Sequence, residues 1–248
     1  MKESNFIYLY NGTWDELLKV IFWLLKEKRK PLQILEEIKY ENNLLAKPFK
    51  PILDQKVLTL KKYIPKEILK ISYYVFLSSS QEKELIIYYF LLNTLKYHKE
   101  VIYMRNLRCV NKALMISKRV SREAHKWKGF LRFKEMQNQF LYAEFNADNN
   151  ILEILANHFK KRLPKENWVI KDEKRDILCI YDQKKLYFLE GKDIQLDLNY
   201  NNKEKNTEEL WKSFFKTIAI KERENRKCQQ NFMPKKYWQN ILEMESEQ

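Results

Sequence analysis

Histidine, acidic and cationic side chains set what chemistry this chain could do. Three histidines are present, His98, His125 and His158. His125 sits among Arg122, Lys126, Lys128 and Arg132, cations whose field favours a neutral imidazole. A neutral ring there could act as a base or hydrogen-bond a phosphate, or simply pack on Trp127 at a helix end. His158 lies in Asn157-His158-Phe159-Lys160-Lys161-Arg162, beside the apolar side of a helix, where a semi-buried histidine is the plainer reading. His98 follows an apolar helix and reads as a surface or capping residue. Asp148, Asp172, Asp176 and Asp182 are spread through a strand-rich region. They could converge on a metal, but turn-forming aspartate is the more common explanation. His125, His158, Arg162 and Asp172 are therefore the candidates for an active site. No GxSxG, Gly-rich phosphate loop, HExxH or zinc-deaminase pattern accompanies them.

The cations carry a stronger signal. Arg105 to Lys134 holds ten of the chain's 47 Lys and Arg and a single acid, Glu123. Those thirty residues contribute +9 of the formal net charge of +14, whereas residues 1–104 contribute only +5, from 17 cations against 12 acids. Read as one helix at about 100° per residue, Arg105, Arg108, Lys112, Arg119, Arg122 and Lys126 fall within an arc of roughly 100°. Aligned cations neutralise successive phosphates and release counterions, so a nucleic acid is the expected partner. Lys128 and Arg132 extend the cluster into a stretch with Trp127, Phe130 and Phe133, aromatics that, with Tyr142, could stack on bases. A second cluster, Lys216–Lys236, sets seven cations against Glu222 and Glu224. Within it, beside Lys221, Arg223 and Asn225 could reach phosphates or base edges, while Glu222 and Glu224 make helical surface pairing an equally good reading.

These residues need elements to hold them. Phe6–Tyr10 reads as a strand ended by Asn11-Gly12, and Thr13 caps a helix to Lys28 with Asp15 and Glu16 in its first turn. Pro31 reopens a helix to about Tyr40, and Leu44–Pro51 reads as loop. Helices follow from Pro65 to Leu77, from Glu82 to Tyr97 and from Tyr103 to Lys126, the last either continuous or broken near Ser117. The pattern changes at Gly129. Phe130–Met136 and Phe140–Asn146 read as a hairpin, Asn149–Leu163 as a helix, and Trp168–Lys171, Ile177–Tyr181 and Leu186–Leu189 as strands. Asp193–Asn206 reads as loop, and Thr207 caps a last long helix. In it Trp211, Phe214, Phe215 and Ile218 have the spacing of a core face. The fold class is α+β: N-terminal helices, a mostly antiparallel sheet of five to six strands in ββαβββ order, and a C-terminal helix. Short inter-strand turns argue against parallel crossovers.

At 248 residues with 45% hydrophobic and 14% aromatic composition, the chain can bury a full core. With three glycines and no linker-like tract, it reads as a single α+β domain over 1–248: a helical subregion 13–127, a sheet subregion 129–190 and a helical segment 207–245. Cys109, Cys179 and Cys228 are sparse and widely spaced, which points to a reduced, cytoplasmic setting and offers no zinc or iron–sulfur cage. No run is long enough to span a membrane.

Two blocks resemble a known family. One is Glu123-Ala124-His125-Lys126-Trp127-Lys128-Gly129-Phe130-Leu131-Arg132-Phe133. The other runs from Leu210-Trp211-Lys212-Ser213-Phe214-Phe215 to Lys221-Glu222-Arg223-Glu224-Asn225, followed by Gln229, Met233-Pro234 and Tyr237-Trp238. His158-Phe159 with Arg162, Trp168-Val169-Ile170, and Asp172 with Arg175 fall in order between them. Tyr10-Asn11-Gly12-Thr13-Trp14-Asp15 resembles the family's opening. The family is one of unknown function assigned to DNA metabolism or DNA repair. Its members accompany a radical-SAM protein or occur fused to a uracil-DNA-glycosylase-type domain. The chain departs from it at Asn149-Asn150, where relatives often carry histidine.

The resemblance implies a DNA-binding accessory protein in DNA repair or modification, acting with a radical-SAM partner. An iron–sulfur cluster and SAM are then expected only in that partner, because this chain lacks a closely spaced cysteine triplet. The alternatives are a DNA-processing enzyme with its own site near His125 and His158, and a protein-binding scaffold with an incidental basic surface.

Overall fold

The computed structural model describes residues 2–3, 6–40, 47–51, 62–137, 140–193, 202–218 and 225–242. The chain divides into two compact units, Met1–Arg122 and Glu123–Gln248. The fold is mixed α+β.

In the first unit a three-stranded parallel sheet is ordered β4-β2-β5, from β2 (Phe6–Tyr10), β4 (Gln33–Glu36) and β5 (Lys47–Phe49). A two-residue parallel pair, β1 (Lys2–Glu3) with β3 (Arg29–Lys30), accompanies it. The central strand β2 is buried on both faces, with Ile7 beside the fully buried Tyr8 and Tyr10. Helix α1 (Trp14–Lys26) starts at Thr13, whose hydroxyl accepts the Glu16 N–H at 3.4 Å, while the Glu16 carboxylate accepts the Asn11 N–H at 2.7 Å. Its buried stripe, including Leu17, Ile21 and Leu24, packs with α2 (Lys66–Phe76) and α3 (Lys83–Tyr97) into one core. His98 ends α3 as its C-cap, with φ of 50°.

This sheet corrects the expectation of a helix from Pro31 to Tyr40. Gln33–Glu36 instead pairs in parallel with Ile7–Tyr10, and only Glu37–Lys39 forms a single 3₁₀ turn. Each backbone edge of β2 needs a partner, and a half-buried four-residue run with Ile34 inside supplies it. The segment expected as loop, Leu44–Pro51, contributes β5 through Lys47–Phe49.

The second unit holds a five-stranded sheet, order β10-β9-β8-β7-β6. Its members are β6 (Lys134–Glu135), β7 (Leu141–Phe145), β8 (Asn167–Asp172), β9 (Ile177–Asp182) and β10 (Leu186–Glu190). With α5 (Leu152–Arg162) between β7 and β8, the ββαβββ order stands. The sheet is mostly antiparallel, but β7 and β8 run parallel, with α5 as their crossover. Helix α5 is itself long enough to return the chain, so short turns between the other strands do not prevent this parallel pair. Trp168, Ile170, Phe145, Leu155 and Phe159 are buried in this unit.

Helix α4 (Arg108–Phe130) is continuous and passes from the first unit's residues to the second's. It begins three residues after Arg105 and continues through Gly129, so the expected strand Phe130–Met136 shrinks to Lys134–Glu135. Burying Ala124 and Trp127 on the helix outweighs the helix penalty of one glycine, roughly 1 kcal/mol. Helix α6 (Asn202–Ile218) begins before Thr207, within the stretch expected as loop. Its Trp211, Phe214 and Ile218 are exposed, against the expectation that they form core. Periodicity identifies one apolar face on a helix, but not whether anything covers it. Helix α7 (Arg226–Phe232) is capped by Asn225, and a 3₁₀ segment follows at Lys235–Asn240. No helix of the described residues is long and apolar enough to cross a membrane.

Candidate nucleic-acid interface

On the first unit's part of α4, Val110, Ala113 and Val120 turn inward and are fully buried. That fixes the opposite face outward. Arg108, Lys118, Arg119 and Arg122 are exposed there, and Arg105 is exposed in the turn before the helix. Lys112 is half-buried and its ammonium pairs with Glu82, at the start of α3. The Glu82 carboxyl is held below its ordinary value by that hydrogen bond and charge, with Arg108 adding to them. Among the described residues no carboxylate lies within ion-pairing distance of Lys118, Arg119 or Arg122. These three line a concavity of about 490 Å³ together with Lys112, Met115 and Ile116. Met115 is 66% exposed and falls within the cationic arc.

In the second unit the remaining candidates are spread out. His125 is exposed. The Lys126 ammonium stands 5.7 Å from the centre of the Tyr237 ring. Arg132 and Lys134 both face Glu208 of α6, at 3.6 and 3.8 Å. Lys128 lies close enough to His158 to act on its charge. His158 is half-buried against the Phe159 ring, and its Nε2 has no hydrogen-bond partner. Burial first, then Lys128 and Arg162, hold the imidazole below its ordinary value, which favours the neutral ring near pH 7. Lys221 and Arg223 lie outside the described residues. Asn225 uses its side chain as the α7 cap, accepting the Cys228 N–H at 2.9 Å.

Asp172 is not brought to the histidine. Arg162 ends α5, just before β8 begins, and Asp172 stands at the other end of β8, roughly 17 Å of strand away. There it is fully buried and receives Arg175 at 2.9 Å and the Lys174 N–H at 3.1 Å. Arg175 also donates to the carbonyls of Ala147 and Asp148, tying the turn after β7 to the turn after β8. Burial raises the Asp172 carboxyl above its ordinary value, with Arg175 opposing. Asp182 instead accepts the Lys184 and Lys185 N–H groups, and Asp176 meets Lys171 at 3.3 Å. These aspartates organise turns and ion pairs. No group of three His, Cys, Asp or Glu is placed to hold a metal among the described residues.

The aromatics considered for base stacking are committed inward. Trp127 packs on Phe145 and Tyr237, Phe133 on Phe159 and Trp168, and Tyr142 is buried. The three cysteines are free, and burial pushes the Cys179 thiol up to about 12, far from a reactive thiolate at neutral pH.

Two polar clusters carry no sequence motif. In the first unit the Tyr10 hydroxyl donates to Glu84 at 2.9 Å and reaches Glu36 at 3.3 Å, and Lys83 lies 3.4 Å from Glu36. In the second unit Glu123 accepts from the Asp148 and Asn149 N–H groups, the Asn149 amide and Lys236. The one available signal for that cluster was Glu123 itself, a single acid among ten cations.

A family model described as a domain of unknown function, DUF4130, matches residues 81–243. The chain belongs to this family. The matched region takes in α3, all of α4 and the five-stranded sheet, so the cationic face lies within it, whereas the N-terminal parallel sheet precedes it. No curated protein and no solved structure matches the chain.

Proposed function

We propose that this protein binds nucleic acid through the outward face of α4 and serves as an accessory protein in DNA repair or modification. One observation carries the binding. Lys118, Arg119 and Arg122 are exposed with no acidic partner among the described residues, while Lys112, Arg132 and Lys236 are each engaged by a carboxylate. A cation already neutralised within the protein gains little from a phosphate, whereas an unneutralised row releases counterions at each contact. The role in DNA repair, and the radical-SAM protein as partner, draw their support from the motif resemblance in Glu123–Phe133 and Leu210–Asn225.

Arg119→Ala together with Arg122→Ala tests the interface. Both side chains are exposed, so folding should persist. Affinity for a labelled DNA should fall, and the slope of log affinity against log salt should flatten by about one unit per lost phosphate contact. Unchanged affinity at low and moderate salt would refute the interface. Co-purification with the radical-SAM protein, in the presence of DNA, tests the partnership.

A further inference from the structure

Met115 stands among the cations of α4 with two-thirds of its surface exposed, and Ile116 beside it runs from the core to the same concavity. Residues 112, 115, 116, 119 and 122 follow spacings of three and four, so they form one continuous strip. The concavity therefore alternates charge with apolar surface. A duplex backbone would meet such a strip badly. It presents phosphates and sugars while its bases stay stacked inside, so a methionine between the cations would meet anionic, hydrated surface and gain nothing. A single strand offers both chemistries at once: phosphates for Arg119 and Arg122, and an unstacked base whose face can lie on the thioether and the isoleucine.

We infer that the α4 face takes single-stranded nucleic acid, seating an unstacked base on Met115 and Ile116 between phosphates held by Arg119 and Arg122. This inference rests on the phosphate-binding reading above and deepens it.

The test compares three labelled ligands with the full chain: a short single strand, an abasic strand with the same number of phosphates, and a duplex of the same sequence. The single strand should bind more tightly than either of the others. Met115→Ser, an exposed and structurally tolerant change, should narrow the gap between the base-bearing and abasic strands by roughly two- to tenfold and leave the salt slope intact. Equal binding of the base-bearing and abasic strands, a preference for duplex, or indifference to Met115→Ser would each overturn the inference. If those outcomes occur while Arg119→Ala with Arg122→Ala still weakens binding, phosphate binding stands and only the single-strand assignment falls. If the double variant changes nothing for any ligand, both fall.

Discussion

The Lys236 ammonium lies 2.8 Å from the carboxylate of Glu123, a residue 113 positions earlier in the chain. The same ammonium reaches Asp148 at 2.9 Å. Burial alone would raise the Glu123 carboxyl, but hydrogen bonds from Lys236, the Asp148 N–H and Asn149 hold it below its ordinary value. The contact fastens the 3₁₀ segment near the C-terminus to α4 and to the turn after β7, beside the packing of Tyr237 on Trp127. Glu123 thus belongs to the architecture of the second unit.

Lys236→Met should destabilise the second unit, because it removes a charge partner from a nearly buried carboxylate. Lys236 itself is partly exposed, and solvent screens the pair, so the loss should be about 1–3 kcal/mol. The pH dependence has a definite sign. Glu123 has a depressed pKa in the fold, so its contribution is present above its unfolded value and is lost as pH falls through the folded one. Chemical denaturation at neutral pH and at pH values below the unfolded glutamate value of about 4.3 should show the gap between native and variant shrinking with acid. A gap that is constant across that range would mean the ion pair is not what the substitution removed.

Arg175→Met should also show a gap that narrows with acid, but because the variant gains stability. It leaves Asp172 buried without its guanidinium, at a cost of about 3–5 kcal/mol. The Asp172 carboxyl is already raised by burial, and losing Arg175 raises it further. A raised folded pKa means that the native state holds the proton more tightly than the unfolded chain. The variant should therefore regain stability as pH falls from neutral toward the unfolded pKa of aspartate, about 3.9. Denaturation midpoints that drop steadily with acid would contradict this account.

Glu82→Gln should strengthen nucleic-acid binding. The Glu82 carboxylate occupies Lys112 at one end of the cationic strip. Removing its charge frees that ammonium for a phosphate, so the salt slope should steepen by up to about one unit. Glu82 is exposed, so thermal stability should barely move. Weaker binding, or an unchanged slope, would show that Lys112 does not face the ligand.

Much of the fold was legible because local rules agreed with the final packing. Thr13 capping α1, the apolar stripe of Leu17, Ile21 and Leu24, and the element order of the ββαβββ region all follow from spacing and turn chemistry. The elements that depart from their local pattern depend on partners far away in sequence. Gln33–Glu36 became a strand because β2 needed an edge partner, and Gly129 stayed helical because Trp127 had a core to enter. The apolar face of α6 could be read from spacing, but its exposure could not.

The candidate site divides the same way. The amino-acid sequence by itself determined that cations would align on one face of α4, since helical geometry alone sets which residues share an arc. Only the tertiary structure decided which of them remain free. Glu82 reaches Lys112, Glu208 reaches Arg132, and Asp148 and Glu123 reach Lys236, through contacts between elements that no local pattern encodes. Lys118, Arg119 and Arg122 stay available because no described carboxylate is folded against them. Charge is a property of composition, but unneutralised charge depends on which side chains the fold brings within about 4 Å, where Coulombic pairing is strong.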